Sequence, residues 1–427
     1  MAQDFTAPLY DHFLKSKGVS TDSRTVRQGE LYFALRGNNF DGNKYADQAL
    51  EKGAKLAVID NPNFEKPGTF TVDNVLAALQ DLARYYRSQF KGPVIGITGS
   101  NGKTTTKELT AAVLARKFRL HVTEGNLNNH IGVPLTLLGR PRDAEVMIIE
   151  MGASAIGEIA TLSSICLPTH GLITNIGYAH TATFGGIDGV LRGKSELFDF
   201  LSKNKGLPFI NVSDPRLRNM AKRFKKKIEY PTHDIELCRE GSYVMVNYKG
   251  KRIKTHLFGD YNFTNLAAAV ALGSHFEVGD SGIVDAISSY VPDNWRSQVI
   301  EKEGCTIIMD AYNANPSSMQ AALQSFAGRQ GKKMLILGDM LELEDPHASH
   351  AEVGKYIRKQ GFERVLLVGK YVAEIKRTNP SAGYYKDMAT LVSELKQMET
   401  NGYQILVKGS RSIGLERILS IIQPSKF

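Results

Sequence analysis

Between Val94 and Thr105 the sequence reads Val-Ile-Gly-Ile-Thr-Gly-Ser-Asn-Gly-Lys-Thr-Thr, an apolar run that passes through a glycine-rich turn into a helix-forming stretch. This segment constrains the fold more than any other. A buried strand must deliver the chain into a turn whose backbone N–H groups surround an anion, and the following helix must aim its positive end at the same point. Lys103 would then reach the β- and γ-phosphates of a nucleotide, and the Thr104 hydroxyl would meet Mg²⁺. The general phosphate-loop pattern would place its first glycine at 97, which is Ile97, so the match is to the shorter form Thr98-Gly99-x-x-Gly102-Lys103-Thr104. A glycine-rich turn that merely joins strand to helix is the alternative, and the Lys-Thr pair directly after Gly102 argues against it.

The rest of the chain places this unit in the middle of three blocks. Residues 1–91 alternate short apolar runs (31–35, 56–59) with polar turns and end in a helical pattern over 75–90. Lys91-Gly-Pro then breaks the pattern and marks a boundary. Residues 92–297 hold strand-like runs at 94–98, 146–149, 172–176 and 208–212, separated by segments long enough for helices. Residues 298–427 repeat that alternation at 306–309, 334–337, 365–368 and 405–407. The fold class expected is therefore α/β, with a small mixed α/β N-terminal domain, a central doubly wound parallel sheet of the phosphate-loop type, and a C-terminal Rossmann-like domain. Ligands are expected at the carboxyl ends of the strands.

Composition adds bounds. At 427 residues with 42% hydrophobic and 23% charged, the chain is globular rather than disordered or fibrous. No apolar stretch approaches the roughly 20 residues of a membrane-spanning helix. Three scattered cysteines, Cys166, Cys238 and Cys305, form no CxxC pair and fit a reducing compartment, and no secretory leader is read at the start, so a cytoplasmic location is expected. Fifty-three Lys and Arg against 44 Asp and Glu give +9, which calls for anionic partners without naming them. Seven of the twelve residues from Arg216 to Lys227 are basic, yet few aromatics are interleaved, so a solvated face is favoured over nucleic-acid binding.

Around the phosphate loop, Glu150 closes the strand-like run 146–149 and would put a carboxylate beside the phosphates, although a solvated strand-end acid fits the same pattern. His180 follows the next strand. Mg²⁺ prefers oxygen, so the residue types alone favour an ordinary buried or capping histidine.

Together, Thr98–Thr105, Glu150-Met-Gly-Ala-Ser, Asn175-Ile-Gly-x-Ala-His180 and Lys194-x-Glu196 resemble, in this order, the Mur ligases of peptidoglycan synthesis. Asp310-Ala-Tyr-Asn-Ala-Asn-Pro-Ser-Ser-Met319 and Leu337-Gly-Asp-Met-Leu-Glu-Leu343 with His350 are similar, more narrowly, to the branch that joins D-alanyl-D-alanine to a UDP-linked muramoyl-tripeptide. The resemblance spans all three blocks. It implies an ATP-dependent, ADP-forming ligase working through an acyl phosphate, with UDP-N-acetylmuramoyl-tripeptide and D-alanyl-D-alanine as substrates and ATP with two Mg²⁺ ions as cofactors. It also implies a monomer that needs neither nucleic acid nor membrane insertion.

By the same resemblance, ATP would be held by Gly99, Ser100, Asn101, Gly102, Lys103, Thr104 and Thr105, by Asn262 at the adenine, and by Arg296 and Asp310 from the third block. Thr104, Glu150, His180 and a carbamylated Lys194 would lie at the metal sites, with Lys103, Lys194 and His180 as catalytic residues. Without the family, Lys194 reads as an exposed helical lysine near Glu196. Ser23 and Arg24 would face the nucleotide-sugar, and Asn128 and Asn129 the muramoyl-peptide. Asn313, Asn315, Ser317, Lys408 and Arg411 would serve the incoming dipeptide. Tyr261 stands where the family usually has His. The implied block roles are UDP-sugar binding (1–91), ATP binding (92–297) and dipeptide binding with closure on ATP (298–427). The competing readings are another Mur-type or folylpolyglutamate-type ligase, and an ATP-binding regulatory or nucleic-acid-associated protein.

Overall fold

In the computed structural model, which describes residues 6–238, 243–302 and 304–422, three parallel-type sheets follow one another along the chain. The first has four short parallel strands in the order Val19–Ser20, Leu31–Phe33, Leu56–Ile59 and Thr69–Thr71. The second has six parallel strands, in the order Ile228–Tyr230, Leu207–Asn211, His170–Ile173, Val94–Thr98, Val146–Glu150 and Leu120–Val122. Strand Val94–Thr98 thus lies inside the sheet, and the chain goes first to one side of it and then to the other. That is a topological switch point, and the crevice it opens sits at the strand's carboxyl end, where the glycine-rich loop begins.

The third sheet, again of six strands, runs Gln298–Lys302, Cys305–Asp310, Tyr403–Lys408, Lys332–Gly338, Arg364–Val368 and Gly383–Tyr385. Its first strand is antiparallel and the others are parallel. A departure from expectation lies between the second and third sheets. An antiparallel meander, Ile235–Cys238, Met245–Tyr248 and Lys251–Lys254, occupies a stretch in which no strands were anticipated. Its strands are only four residues long, and Met245–Tyr248 buries alternate residues, Val246 and Tyr248, so the apolar signal is weak.

Strand Val94–Thr98 is buried along its whole length because helices cover both faces of its sheet. Ile95 and Ile97 pack with the helices Lys103–Leu114 and Phe263–His275. Val94 shares a core with Glu158–Cys166 and Ile187–Lys203 on the other face. Helix Ile187–Lys203 follows from its pattern: Val190, Lys194, Leu197, Phe198 and Leu201 recur at helical spacing and form its buried stripe. Gly189 lets this helix approach Phe184, whose carbonyl oxygen would lie 1.7 Å from a Cβ at 189.

Helix Val75–Ser88 joins the first sheet to the second, contributing Leu79, Leu82 and Ala83 to a core that also contains residues of both. Arg87 fixes that joint. Its buried guanidinium donates to Cys166 O at 2.8 Å, Leu167 O at 2.7 Å and Phe90 O at 3.0 Å, satisfying carbonyls at the end of helix Glu158–Cys166. The basic stretch 216–227 forms most of a short helix, a single helical turn and the bend that leads into the edge strand Ile228–Tyr230. Arg223 pairs with Asp199 at 2.7 Å, and most of the other basic side chains are exposed.

Candidate functional site

A cavity of about 1070 Å³ opens where the carboxyl ends of the second and third sheets face each other. Its floor is the phosphate loop. Gly99 has φ +143° and Gly102 φ +79°, and a Cβ on either would collide with a neighbour, at 1.9 Å from Thr174 Oγ1 and 2.5 Å from Asn265 Oδ1 respectively. Only glycine fits both the dihedral and the space. The loop is braced from the neighbouring strand end. Ser100 N–H donates to Asn175 O (3.0 Å), Asn101 N–H to Asn175 Oδ1 (3.0 Å), and Ser100 Oγ to Gly177 O (3.0 Å). Lys103 opens the helix, and its Nζ donates to Gly99 O at 2.8 Å, so the ammonium folds back over the loop. Burial lowers its pKa and Arg296 adds to that, while Glu150 opposes both.

Beside the loop, Glu150 is almost wholly buried and receives two donors, Thr104 Oγ1 at 2.9 Å and Asn128 Nδ2 at 2.8 Å. Lys107 Nζ lies 4.0 Å from the same carboxylate but donates to Thr123 O. Thr104 hydroxyl and Glu150 carboxylate together form a hard-oxygen pair at the phosphate end of the helix. Among the described residues no group of three or more His, Cys, Asp or Glu could hold a metal ion. That donor set suits Mg²⁺, which takes one or two protein oxygens and completes its shell with phosphate and water.

His180 has φ +53° and stands at the N-cap of the short helix Thr181–Phe184. Its Nδ1 is 3.0 Å from Glu342 Oε2, a residue of the third block with φ +61°. Burial lowers the His180 pKa, and Glu342 pulls it back up. Left-handed conformations are uncommon for residues other than glycine, and here two of them face each other across the cleft. Lys194 is buried rather than exposed. Its Nζ donates to Ala153 O at 2.8 Å, lies 5.2 Å from the centre of the Phe184 ring, and pairs with no carboxylate among the described residues. Desolvation holds its pKa well below the usual lysine range.

From the third block come Asp310, Asn313, Asn315, Ser317 and Lys408, all lining the cavity. Several are already engaged. Lys408 is almost completely buried and its Nζ donates to Asp310 Oδ2 at 2.5 Å. Asn315 caps helix Pro316–Ala327 through Oδ1 and donates from Nδ2 to Asn101 Oδ1 at 2.7 Å. Ser317 Oγ accepts from Tyr178 N–H at 3.0 Å. Asn313 Oδ1 accepts from its own neighbour, Ala314 N–H, at 2.9 Å. The Arg296 guanidinium carbon lies over the Tyr312 ring, 3.7 Å from its centre.

Asn262 is buried between Phe258 O (2.8 Å) and Ser297 Oγ (3.1 Å), and accepts from Asn265 Nδ2 at 2.8 Å. The Tyr261 hydroxyl shares a hydrogen bond with Ser297 Oγ at 2.8 Å, and Tyr261 also lines the cavity.

Six sequence candidates are absent from the cavity lining: Gly99, Thr104 and Lys194, whose neighbours line it, and Ser23, Arg24 and Arg411, which stand apart from it. Ser23 Oγ donates to Gln48 Oε1 (2.8 Å) and Arg24 pairs with Asp22 (2.8 Å), both in the first block. Their neighbours Thr21 and Asp22 line a second cavity of about 590 Å³, shared with His121, Glu124 and Thr136 of the second block. Arg411 is exposed, 5.0 Å from the centre of the Tyr312 ring. Asn129 lines the main cavity while its Oδ1 accepts from Ile131 and Gly132 N–H. Glu342, Tyr312, Asn265 and Ser297 also reach the cavity and were not singled out from the sequence. Glu342 and Tyr312 sit inside the motifs 337–343 and 310–319, which is the signal that marks them.

Residues 97–273 match the family described as Mur ligase middle domain, 295–411 that of Mur ligase, glutamate ligase domain, and 15–87 that of Mur ligase family, catalytic domain. A Bacillus subtilis protein named UDP-N-acetylmuramoyl-tripeptide--D-alanyl-D-alanine ligase is 37% identical over 94% of this chain and 92% of its own length. The chain belongs to the Mur ligase family. Two solved Mur ligases share its architecture. MurF from Acinetobacter baumannii superposes with a TM-score of 0.87 at 28% identity, covering 97% of each chain. MurF ligase from Thermotoga maritima, crystallised in complex with ADP, gives 0.85 at 27% identity over 96% of this chain and 97% of the other. The α/β, three-domain plan of this Mur ligase is thus the family's plan. Among the described residues no helix is long and apolar enough to cross a membrane.

Proposed function

We propose that this Mur ligase is an ATP-dependent ligase that joins D-alanyl-D-alanine to UDP-N-acetylmuramoyl-tripeptide, releasing ADP and phosphate. The observation that carries the reading is one cavity in which a phosphate loop, a buried carboxylate–hydroxyl pair and a polar wall from a separate domain meet. The name of the 37%-identical relative supplies the substrate pair. The domain roles follow: residues 1–91 hold the UDP-sugar, 92–297 hold ATP, and 298–427 present the dipeptide.

The chemistry sets what the residues must do. A carboxylate is a poor electrophile, so the γ-phosphoryl group of ATP is moved onto the tripeptide's terminal carboxylate, and the dipeptide amine then displaces phosphate from the acyl phosphate. Both partners of the first step are anionic. Lys103 and the amides of residues 99–105 are fixed before the reaction and offset the charge that develops on the transferred group. Thr104 and Glu150 would hold one Mg²⁺, and His180 with Lys194 as its carbamate a second; Mg²⁺ contributes charge neutralisation at the phosphates. Asn262 and Tyr261 form the wall assigned to adenine, with Arg296 and Asp310 approaching the nucleotide from the third domain. Orientation contributes further, since carboxylate, phosphate and amine come from separate domains and must be aligned.

Phosphate release is the test. Purified enzyme with ATP and Mg²⁺ should release phosphate at an appreciable rate only when both the muramoyl-tripeptide nucleotide and D-alanyl-D-alanine are present. Equal release without the dipeptide would refute the ligase assignment.

A further inference from the structure

Glu108 stands on the phosphate-loop helix, five residues after Lys103, and faces away from the cavity toward the connection between the second and third domains. Its carboxylate accepts from Tyr290 Oη at 2.6 Å and from Asn294 Nδ2 at 2.8 and 2.7 Å, one distance to each oxygen. Hydrogen bonds to an ionised acceptor are short and strong, and these tie the start of the connection to the helix. Lys107 does not compete, because its ammonium is 4.0 Å away and donates to Thr123 O.

The far end of the connection meets both domains: the Ser297 hydroxyl and carbonyl contact Tyr261, Asn262 and Phe258 of the second, while backbone groups tie it to the third. Ala311 N–H donates to Trp295 O at 3.0 Å, and Ser297 N–H to Asp310 Oδ1 at 3.2 Å. At this far anchor Trp295 and Ser297 have φ of +57° and +53°, a strained conformation for residues with a Cβ. Arg296 lies between them and reaches the cavity.

A short segment anchored at both ends, with strain concentrated at its far anchor, is a pivot. We propose that Glu108 is a positioning residue that clamps this pivot to the phosphate-loop helix, so that nucleotide at the loop sets the placement of Arg296 and of the third domain. The proposal rests on nucleotide binding at that loop. A carboxylate that only satisfies a half-buried tyrosine would stabilise the fold without transmitting anything, and the experiment separates the two.

Trp295 is the sole tryptophan of the chain, so intrinsic fluorescence reports on the pivot. ADP with Mg²⁺ should change the Trp295 emission of the full-length protein with the same saturation midpoint that calorimetry gives for binding. In Glu108→Ala the amplitude at saturation should fall by at least half while the calorimetric Kd stays within about threefold. The KM for D-alanyl-D-alanine should rise about tenfold or more, as misplacement remote from the chemistry commonly costs. Tyr290→Phe, which removes one hydroxyl and no volume, should give a smaller change in the same direction. The double variant should then add little to Glu108→Ala, as expected for partners in one interaction.

Full amplitude in Glu108→Ala would overturn the proposal. So would an unresponsive Trp295 in wild type that binds ADP, or a loss explained wholly by weaker nucleotide binding. If Glu108→Ala fails to fold, Tyr290→Phe alone decides by the same readouts. Absence of ADP binding to wild type by calorimetry would instead refute the nucleotide-site reading beneath it.

Discussion

Asn315 and Asn101, 214 residues apart, are joined by a 2.7 Å hydrogen bond from Asn315 Nδ2 to Asn101 Oδ1 across the cleft between the second and third domains. The other half of the Asn315 amide caps helix Pro316–Ala327. One side chain therefore fixes the start of a third-domain helix and a residue of the phosphate loop at once, and Ser317 on Tyr178 repeats the contact one step further. The sequence reading gave Asn315 and Ser317 to the dipeptide. Their contacts support a role in seating the third domain on the phosphate loop.

Replacing Asn315 with Ser separates its two jobs, since serine caps helices about as well as asparagine but does not reach Asn101. Asn315→Ser should leave the melting temperature within a few degrees of wild type and lower kcat/KM for D-alanyl-D-alanine about tenfold, roughly the value of one well-placed hydrogen bond. Stopped assays that trap the acyl phosphate should show its formation less affected than its consumption. A fall in melting temperature with unchanged kinetics would return Asn315 to a purely capping role.

Lys103 gives a prediction of opposite character. Its ammonium sits over Gly99 O in a desolvated loop, so its removal takes away charge needed in the transition state and little packing. Lys103→Ala should reduce phosphoryl transfer by roughly 10²–10³-fold or more, the range seen when a preorganised charge-stabilising donor is removed. Circular dichroism and thermal unfolding should show a folded protein. Retained turnover would refute the phosphate-loop assignment.

The phosphate loop was legible because it is local: strand, two glycines and a lysine within the ten residues 94–103 carry the whole signal. Strand-end placement made Glu150 visible for the same reason, and the strand anticipated at 146–149 extends to include it. Lys194 was visible only through resemblance. Its helix pattern contains a lysine on the apolar stripe, 190–194–197–201, and reading that stripe would have placed it inside rather than beside Glu196. What could not be read was pairing between domains. Glu342 with His180, Asn315 with Asn101, and Tyr290 and Asn294 with Glu108 are separated by more than 150 residues, and no periodicity in a single sequence encodes such contacts. Lys408 illustrates the limit: a Lys-Gly-Ser-Arg turn looks available for a ligand, whereas the fold buries its ammonium against Asp310.

Two histidines, one buried and one half-buried, set an acid limit to stability. His350 is inaccessible to solvent, its Nε2 accepts from Met340 N–H at 3.0 Å, and its Nδ1 is 2.6 Å from Pro346 O, so the ring is neutral with the proton on Nδ1. Burial lowers its pKa. His170 is brought down to about 4, first by burial and then by His275, whose Nε2 lies 3.3 Å away. Both groups bind fewer protons folded than unfolded once pH falls below about 6.5, so stability must decline as pH drops from there toward 4. Urea unfolding at pH 7.5, 6 and 5 should show falling midpoints, and His170→Phe with His350→Gln should flatten that decline. An unchanged slope in the double variant would exclude these two residues as its source.

Lys194 carries the last prediction. A buried ammonium with one carbonyl acceptor and no pairing carboxylate among the described residues is costly, and desolvation favours the free amine instead. A neutral amine is the form that adds CO₂. The resulting carbamate would put an anionic oxygen donor near Ala153 and Glu158, on the side of the cavity where His180 stands. Lys194→Ala should therefore lose most activity and regain part of it with added formate or acetate, because a small carboxylate can occupy the space and charge of the missing carbamate. Lys194→Arg, which keeps a cation and cannot form that carbamate, should not be rescued. Carbon-13 NMR of enzyme equilibrated with labelled bicarbonate should show a carbamate resonance in wild type that is absent from Lys194→Ala. Failure of rescue together with no such resonance would mean that Lys194 acts as a free amine, and the second metal site would lose its proposed carboxylate.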